Sequence, residues 1–311
     1  FFPFPSMATL RFATIGSNFI ADAFLAAGKN VDGFAHTAVY SRTLERGKEF
    51  ANKHGCDIVF TSLEEMASCD EIDAVYISSP TSEHARQAVL FLEAGKHVMC
   101  EKPAVSNSAE LALILNAAKA SGCAFMEAMR SLKTPTFAAL KTKLSELGQI
   151  RVFSGNFCQL SSRWPAYLRG ERPNAFLPDL SNGALMDLGC YAVYAAVALL
   201  GTPTKVSYTP IMLPTGVDAA GTVVLQYPEA VAALVISKMS HGFNNSEIQT
   251  ENGTLIIDHL GEFNKVDFQK KGGQVENLKV PIVGEGHTNI QYELSDFVVS
   301  NAVCVVVVVV V

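Results

Sequence analysis

Residues 10–21 read LRFATIGSNFIA and have the pattern of a nucleotide-binding turn. An apolar, strand-like run leads into Gly-Ser-Asn, and a helix-like stretch follows at once. This order is typical of the dinucleotide fingerprint G-x-G-x-x-G/A, although a turn with one glycine also occurs in many other doubly wound folds. Gly16 and Ala21 fit, whereas Asn18 replaces the middle glycine, where asparagine tolerates a left-handed backbone but adds bulk. The predicted dinucleotide-binding residues here are Gly16, Asn18, Phe19 and Ile20.

Strand-like and helix-like segments alternate from this turn to about residue 129. The apolar runs lie at residues 10–15, 38–41, 58–61, 74–78, 97–100 and 124–128. The helix-like segments lie at residues 19–27, 44–54, 63–68, 83–94 and 109–120. Ser62 with Glu65, and Asn107 with Glu110, have the spacing of an N-cap and its partner. The pattern predicts an α/β fold in which residues 7–132 form a Rossmann domain, a doubly wound parallel sheet with helices on both faces.

The pattern changes after about residue 134. A helix-like segment at residues 137–147 precedes β-rich runs separated by Gly, Asn and Pro turns, and an apolar helix at residues 184–200 interrupts them. The β-rich runs lie at residues 150–159, 205–208, 221–227, 230–238, 246–250, 254–258 and 265–269. A last helix-like segment lies at residues 290–299. We therefore expect a second, α+β domain with a mostly antiparallel sheet over residues 133–303.

Composition excludes several classes of protein. The 311 residues carry a net charge of −6 and are 49 % hydrophobic, so the chain can bury a core and is not globally disordered. The absence of a basic stripe argues against nucleic-acid binding. Seven cysteines without a C-x-x-C pair suit reduced thiols in a cytoplasmic protein, and no Cys/His spacing predicts a metal site.

The two ends of the chain differ from the rest. Residues 1–6, FFPFPS, lack the basic region of a signal peptide and precede Met7, which reads as a natural start. The valine run at residues 305–311 is far shorter than the ~20 residues of a membrane span. We expect residues 1–6 and 304–311 to be artificial or placeholder residues, and we expect no membrane association.

The end of the second strand bears on the choice between NAD and NADP. An NAD site usually places a carboxylate there for the ribose 2′-hydroxyl, but this strand ends Val-Tyr-Ser-Arg at residues 39–42. Ser41 can donate to a 2′-phosphate, and Arg42 can neutralise it and stack on adenine. The sequence favours NADP, with NAD as the alternative. Arg42 can also be simply a solvated surface charge.

Polar residues gather in two further places. The fourth strand is followed by Ser79, Pro80 and His84, and the fifth by Glu101 and Lys102, at the sheet edge where open α/β folds bind ligands. In the apolar helix of the second domain, Asp187, Tyr191 and Tyr194 share one face. A carboxylate in such a helix is costly unless it is paired or faces a polar cleft. A lone lysine at a strand end or a tyrosine on a helix face can equally be a surface or a core residue.

Three motifs resemble those of the Gfo/Idh/MocA family of nicotinamide-dependent oxidoreductases. They are SSPTSEH at residues 78–84, AGKHVMCEKP at residues 94–103 and GALMDLGCY at residues 183–191. The resemblance extends from about residue 10 to about residue 299. Tyr191 stands where many members have histidine, which is similar to the largely NADP-using branch of dihydrodiol dehydrogenases, xylose dehydrogenases and glucose–fructose oxidoreductases. The resemblance implies a C-terminal domain with a large open sheet, which often forms a homodimer.

The resemblance also implies an oxidoreductase acting on a hydroxyl or carbonyl group of a sugar, polyol or cyclic trans-diol. Lys102 would hydrogen-bond the reacting oxygen and favour the tyrosinate form of Tyr191, which would take the proton. Asp187 would orient sugar hydroxyls or Lys102. His84 would lie at a helix N-terminus near the cofactor rather than act as an acid or base, and Glu101 would position the cofactor or Lys102.

The polar loop with Arg163 and Trp164 allows two interpretations, and the fold allows a second function. Arg163 and Trp164 lie in a polar loop, where the tryptophan can form a wall of the substrate site or can serve packing alone. The alternative function is a non-catalytic, nucleotide-binding regulatory protein on the same fold, against which the retention of Lys102, Asp187 and Tyr191 argues. Family members also usually continue beyond the segment at residues 290–299 with a further helix that packs on the Rossmann domain.

Overall fold

The computed structural model describes residues 9–270, 272–278, 280 and 289–299. The expected artificial or placeholder ends, residues 1–6 and 304–311, lie outside the described residues. The chain divides into two compact units between Ala128 and Met129, and the first unit also includes residues 289–299.

The first unit contains a six-stranded sheet in the order β3-β2-β1-β4-β5-β6. Every neighbouring pair is parallel, as the doubly wound prediction requires. The strands are β1 (Leu10–Ile15), β2 (Phe34–Tyr40), β3 (Ile58–Phe60), β4 (Ala74–Ile77), β5 (His97–Glu101) and β6 (Phe125–Ala128). The helices between them are α1 (Phe19–Gly28), α2 (Leu44–His54), α3 (Leu63–Ala67), α4 (Thr81–Glu93) and α5 (Ser108–Ser121). The predicted Rossmann fold is confirmed.

Local sequence explains where these helices begin and end. The Ser62 hydroxyl accepts a hydrogen bond from the Glu65 amide (3.1 Å), and the Asn107 side chain accepts one from the Glu110 amide (3.0 Å). Both predicted N-caps are confirmed, since each satisfies a backbone amide that has no partner within the helix. Gly122 ends α5 with a φ of +70°, a left-handed conformation that glycine adopts without strain.

The last described helix, α9 (Ile290–Val299), belongs to the first unit. Its apolar side chains are buried in the same core as Phe12 and Phe24, with the Phe297 ring 5.7 Å from the Phe12 ring. The expected limits of 133–303 for the second domain are therefore wrong for this segment. Its apolar stripe signals that the helix packs, but the stripe does not say against which domain.

The second unit contains an eight-stranded sheet in the order β14-β13-β12-β11-β7-β10-β9-β8. Its neighbours are antiparallel except for the parallel pair β7 and β10, so the predicted mostly antiparallel sheet is confirmed. The strands are β7 (Ile150–Cys158), β8 (Lys205–Met212), β9 (Asp218–Gln226), β10 (Val231–Ser237), β11 (Ser246–Thr250), β12 (Gly253–Ile257), β13 (Val266–Gln269) and β14 (Val275–Asn277). β8 extends past its expected end at residue 208 and includes Pro210, which an edge strand tolerates.

The second unit also contains helices. They are α6 (Pro135–Leu147), α7 (Trp164–Leu168) and α8 (Cys190–Leu200), and a wide π-helical turn, Leu185–Gly189, leads into α8. α8 packs on β7 and β10. Within the described residues, Pro178–Leu200 is long and apolar enough to cross a membrane, but 61 % of its most apolar window is buried, as in a core helix of a compact protein.

Candidate functional site

The turn between β1 and α1 requires glycine at its first position. The φ of Gly16 is +113°, and a Cβ at this position would lie 2.6 Å from Ser78 Oγ and 3.1 Å from the Ser78 carbonyl oxygen. A side chain here would therefore meet both a conformational and a steric barrier. The turn lies between β1 and β4, where the strand order reverses and where open α/β sheets bind their ligands.

Asn18 has a different role from the expected one. Its φ is −111° and its ψ is 177°, so its backbone is extended and the left-handed explanation for asparagine is wrong. The side-chain oxygen accepts from the Ala21 amide (3.0 Å), and the side-chain nitrogen donates to the Ser78 carbonyl (2.7 Å). Asn18 therefore caps α1 and fastens the turn to the end of β4. It places the N-terminus of α1, a helix of ten residues, at the carboxyl edge of the sheet. The free amides of a helix N-terminus favour anionic groups.

The other two residues predicted for this turn, Phe19 and Ile20, lie in the first turn of α1. Phe19 opens α1 with an exposed side chain, and Ile20 is half-buried against the core beneath the helix. Together with Gly16 and Asn18, they surround the N-terminus of α1. The geometry of the turn fits the phosphates of a dinucleotide.

Two arginines, Arg42 and Arg46, follow β2. The Ser41 side chain is buried and its amide donates to the Phe60 carbonyl (3.0 Å), whereas Arg42 is exposed. Arg46, in the first turn of α2, donates to the Ser17 carbonyl (3.4 Å) and therefore reaches the β1–α1 turn. Sequence reasoning missed Arg46, although its position one turn after Arg42 was the available signal. The two guanidinium groups suit an additional phosphate near this strand end.

His84 links the loops that follow β4 and β5. Its ring is almost fully buried, with Nε2 2.8 Å from the Ser79 carbonyl and Nδ1 2.9 Å from the Pro103 carbonyl. Burial lowers the pKa of His84, against the opposing effect of the two carbonyl contacts. The Ser79 hydroxyl donates to Gln87 (2.7 Å), and Pro80 precedes α4. These contacts let His84 hold the two loops together.

The Glu-Lys-Pro segment at the end of β5 is held by its carboxylate. Glu101 accepts from the Tyr76 hydroxyl (2.5 Å) and from the Lys102 amide (3.2 Å). Tyr76 is fully buried, and its ring stacks on Phe24 at 3.7 Å. Glu101 therefore fixes the backbone that carries Lys102. The Lys102–Pro103 peptide bond is cis.

A buried carboxyl group that sequence reasoning missed lies beside this segment. Glu127, in β6, accepts from the Ala104 amide (2.8 Å) and is 5 % exposed. Burial raises its pKa to about 8, and the nearby charge of Lys102 partly opposes this effect. A glutamate inside the apolar run at residues 124–128 was the signal in the sequence, because such a residue needs a partner or a function.

In the second unit, Asp187 is paired with a lysine that sequence reasoning missed. Lys238 is only 2 % exposed, and its Nζ lies 2.8 Å from Asp187 Oδ2 and 3.2 Å from the Ala175 carbonyl oxygen. The same nitrogen lies 5.3 Å from the centre of the Phe176 ring. Asp187 is thus paired, and about a third of its side chain is exposed.

Tyr191 lies one helical turn after Asp187 and contacts a second ion pair. Its hydroxyl accepts a hydrogen bond from Arg130, whose guanidinium is paired with the Glu262 carboxylate. Its ring packs against Phe157 at 5.4 Å. Arg130 and Glu262 are both absent from the predicted site. Tyr194, by contrast, is almost fully buried, as expected of a core residue.

The loop with Arg163 and Trp164 contains an aromatic cluster. Trp164 stacks on Tyr167 (5.1 Å, 22°) and meets Phe176 edge-on (5.6 Å). Arg163 is exposed and precedes α7. Trp164 therefore has the packing role that the sequence allows, and its half-buried ring leaves part of its surface for a ligand.

Each unit thus gathers its own set of polar groups. The first has the β1–α1 turn, two arginines and the Glu101–Lys102 segment at one sheet edge. The second has Asp187 and Tyr191 on one helix face, each engaged by a cation of the same unit. The first set can hold an anionic dinucleotide, and the second can bind and exchange protons with hydroxyl groups.

Comparison with known proteins identifies sequence families for both units. The model of an oxidoreductase family with an NAD-binding Rossmann fold (Gfo/Idh/MocA) matches residues 10–129. The model of the GFO/IDH/MocA C-terminal domain matches residues 140–256.

Individual relatives agree with this result. The scyllo-inositol 2-dehydrogenase (NADP(+)) IolU of Bacillus subtilis (strain 168) is 45 % identical over 289 residues, which cover 93 % of this chain and 87 % of that protein. The trans-1,2-dihydrobenzene-1,2-diol dehydrogenase of Oryctolagus cuniculus is 34 % identical over 67 % of this chain and 62 % of its own length. A levoglucosan dehydrogenase in complex with NADH and L-sorbose has a TM-score of 0.84 at 20 % identity, covering 94 % of this chain and 89 % of that chain. At that identity the likeness supports the fold alone.

Proposed function

The chain belongs to the Gfo/Idh/MocA family of oxidoreductases, and from this premise we propose an NADP-dependent dehydrogenase or reductase of a cyclic polyol. Inositols are the first substrates to test, ahead of other sugars, polyols and trans-diols. The observation that carries this choice is the 45 % identity, over most of both chains, to an NADP-dependent scyllo-inositol dehydrogenase. Retention of Lys102, Asp187 and Tyr191 favours an enzyme over a regulatory protein on the same fold.

The preference for NADP is supported by charge at the end of β2. Within this strand end and the start of α2, the exposed Arg42 and the turn-bound Arg46 supply two cations. Neither Ser41 nor Arg42 offers the carboxylate that binds an unphosphorylated ribose. A 2′-phosphate carries negative charge that guanidinium groups bind in a bidentate manner.

The proposed chemistry divides between the two units. A bound nicotinamide would supply the hydride acceptor for a carbinol carbon, or the hydride donor for a carbonyl carbon. We assign to Lys102 a hydrogen bond to the reacting oxygen, with Glu101 holding its backbone. We assign to Tyr191 the proton that the hydroxyl loses, and to Asp187 the binding of neighbouring hydroxyl groups. Partly exposed carboxylate oxygens such as those of Asp187 suit this last role.

Steady-state turnover tests the proposal. The purified protein is mixed with NADP⁺ or NAD⁺ and a panel of inositols, aldoses and trans-dihydrodiols, and the absorbance of reduced nicotinamide is followed. We expect turnover of an inositol with NADP⁺ and a loss of several orders of magnitude in Lys102→Met, with cofactor affinity retained. An Arg86→Ala variant, which changes an exposed residue that pairs with Glu83 in α4, is the control. Cofactor binding without turnover of any compound would instead support the regulatory alternative.

We also propose a cytoplasmic homodimer. The six cysteines among the described residues are all free thiols, which suits a reducing compartment. β8 lies at the edge of its sheet and is exposed along most of its length, with Val206, Ile211 and Met212 more than half exposed. An exposed apolar strand of this kind favours coverage by a second copy of the chain. Light scattering coupled to size exclusion tests the stoichiometry, and a monomer at micromolar concentration would contradict it.

A further inference from the structure

Arg130 and Glu262 form an ion pair that is largely withdrawn from solvent. Arg130 follows β6 and begins a short 3₁₀ turn, Arg130–Lys133, whereas Glu262 lies 132 residues away along the chain. Their side chains are only 13 % and 18 % exposed, and both guanidinium terminal nitrogens donate to the carboxylate. Taking two charges out of water is costly, so a pair of this kind needs either close geometry or a function.

The backbone around Glu262 is built to hold it in place. The Glu262 and Phe263 amides both donate to the His259 carbonyl (3.2 and 2.8 Å), which forms a tight turn. Phe263 has a φ of +49°, a left-handed conformation that is rare for an aromatic residue. Its buried ring packs edge-on against Phe137 at 5.1 Å, which holds the strained residue in place. Strain of this kind is concentrated at functional sites.

We infer that Arg130 is a positioning residue for Tyr191: its guanidinium orients the phenolic oxygen and stabilises negative charge on it, while Glu262 holds Arg130 and moderates that effect. This inference rests on the proposed function, because it concerns the residue assigned to proton transfer. Arg130 donates a hydrogen bond to the Tyr191 hydroxyl and carries the positive charge that the tyrosinate form needs. The sequence assigned this electrostatic task to Lys102, and the second unit provides a cation of its own.

Other titratable groups of this unit lie near Tyr191, and each has contacts of its own. On the same helical segment, Asp187 is engaged by Lys238 at 2.8 Å. The Phe157 ring contacts both other rings, with its centre 4.6 Å from that of His259 and 5.4 Å from that of Tyr191. Burial lowers the pKa of His259, which favours its neutral form.

Opposite shifts in two variants distinguish this role from a structural one. Removing the cation in Arg130→Met should raise the pH at which Tyr191 ionises by about 1–3 pH units. Removing the neighbouring anion in Glu262→Gln, which keeps the hydrogen-bonding shape, should lower that pH. Arg130→Lys should fall between Arg130→Met and the wild type, because it keeps the charge and loses the planar fork.

The readout is the near-ultraviolet absorbance of tyrosinate, titrated for each protein with and without the additional Tyr191→Phe change. The difference isolates Tyr191 and needs no substrate, so it remains informative even if no compound of the panel is turned over. The acid limb of the pH profile of kcat/KM should move in the same two directions where turnover exists. The inference would be overturned if the ionisation midpoint of Tyr191 did not move in Arg130→Lys and Glu262→Gln, or moved in the same direction in both. If Arg130→Met does not fold, the comparison of these two milder variants decides.

Discussion

Replacement of Gly16 by alanine tests whether the β1–α1 turn depends on the absence of a side chain. A residue with a φ of +113° pays about 1–3 kcal/mol for an unusual backbone conformation. The added Cβ would also lie 2.6 Å from Ser78 Oγ, which must rotate and give up its 3.0 Å hydrogen bond to the Ile15 carbonyl. A buried hydrogen bond is worth about 1 kcal/mol. We therefore expect the free energy of unfolding to fall by about 2–4 kcal/mol.

Gly55→Ala is the matched control, because Gly55 is also left-handed but its Cβ would have no atom within 4 Å. Its cost should be about 1–2 kcal/mol, from the backbone conformation alone. Urea unfolding measures both costs, and titration calorimetry measures the affinity for NADP⁺. We expect Gly16→Ala to bind NADP⁺ at least about tenfold more weakly, a loss of about 1.4 kcal/mol, and Gly55→Ala to bind normally. Equal stability losses in the two variants, with normal binding by both, would refute the reasoning.

Three more predictions follow from the charges of the site. Arg42→Ala and Arg46→Ala should each raise the Kd for NADP⁺ about tenfold and leave the Kd for NAD⁺ nearly unchanged, because a charge-assisted phosphate contact is worth about 1.5–3 kcal/mol. Equal losses of affinity for both cofactors in calorimetry would contradict this. Lys238→Met removes the buried partner of Asp187, so it should lower the free energy of unfolding in urea by about 1–3 kcal/mol and raise the substrate KM. Lys238→Arg should restore part of the stability and part of the affinity for substrate. Burial raises the pKa of Glu127 to about 8, so the folded state binds this proton more tightly than the unfolded chain does. The free energy of unfolding should therefore fall as pH rises from about 4.5 to 8, by at most about 1.4 kcal/mol per pH unit. Glu127→Gln should remove this pH dependence. A constant stability difference between wild type and Glu127→Gln across this pH range would count against it.

Residues that act through local pattern were predictable from the sequence. The strand–turn–helix around Gly16 and the N-caps Ser62 and Asn107 each depend on neighbours a few residues away, and the structure contains them as expected. Placing Lys102 and His84 at a ligand-binding edge needed only the rule that parallel strands present their carboxyl ends together. Helix spacing and the cost of a carboxylate in an apolar helix singled out Asp187 and Tyr191, and the resemblance supplied the role predicted for them.

The residues that were missed act through partners distant in sequence. Arg130 meets Glu262 across 132 residues, and Lys238 is an ordinary lysine in the sequence until the fold buries it beside Asp187. The hydrophobic periodicity of the sequence does not predict such pairs. α9 shows the same limit at the level of a whole helix, because its stripe predicts burial but does not identify the core that receives it.

Direct hydride transfer is the central claim, and isotope labelling tests it. The enzyme is incubated with NADP⁺ and scyllo-inositol that carries deuterium on its ring carbons, and the reduced cofactor is examined by mass spectrometry. The account predicts one deuterium in each reduced nicotinamide formed by the wild type, and almost no reduced cofactor with Lys102→Met. Reduced cofactor without deuterium, or equal reduction by both proteins, would contradict it.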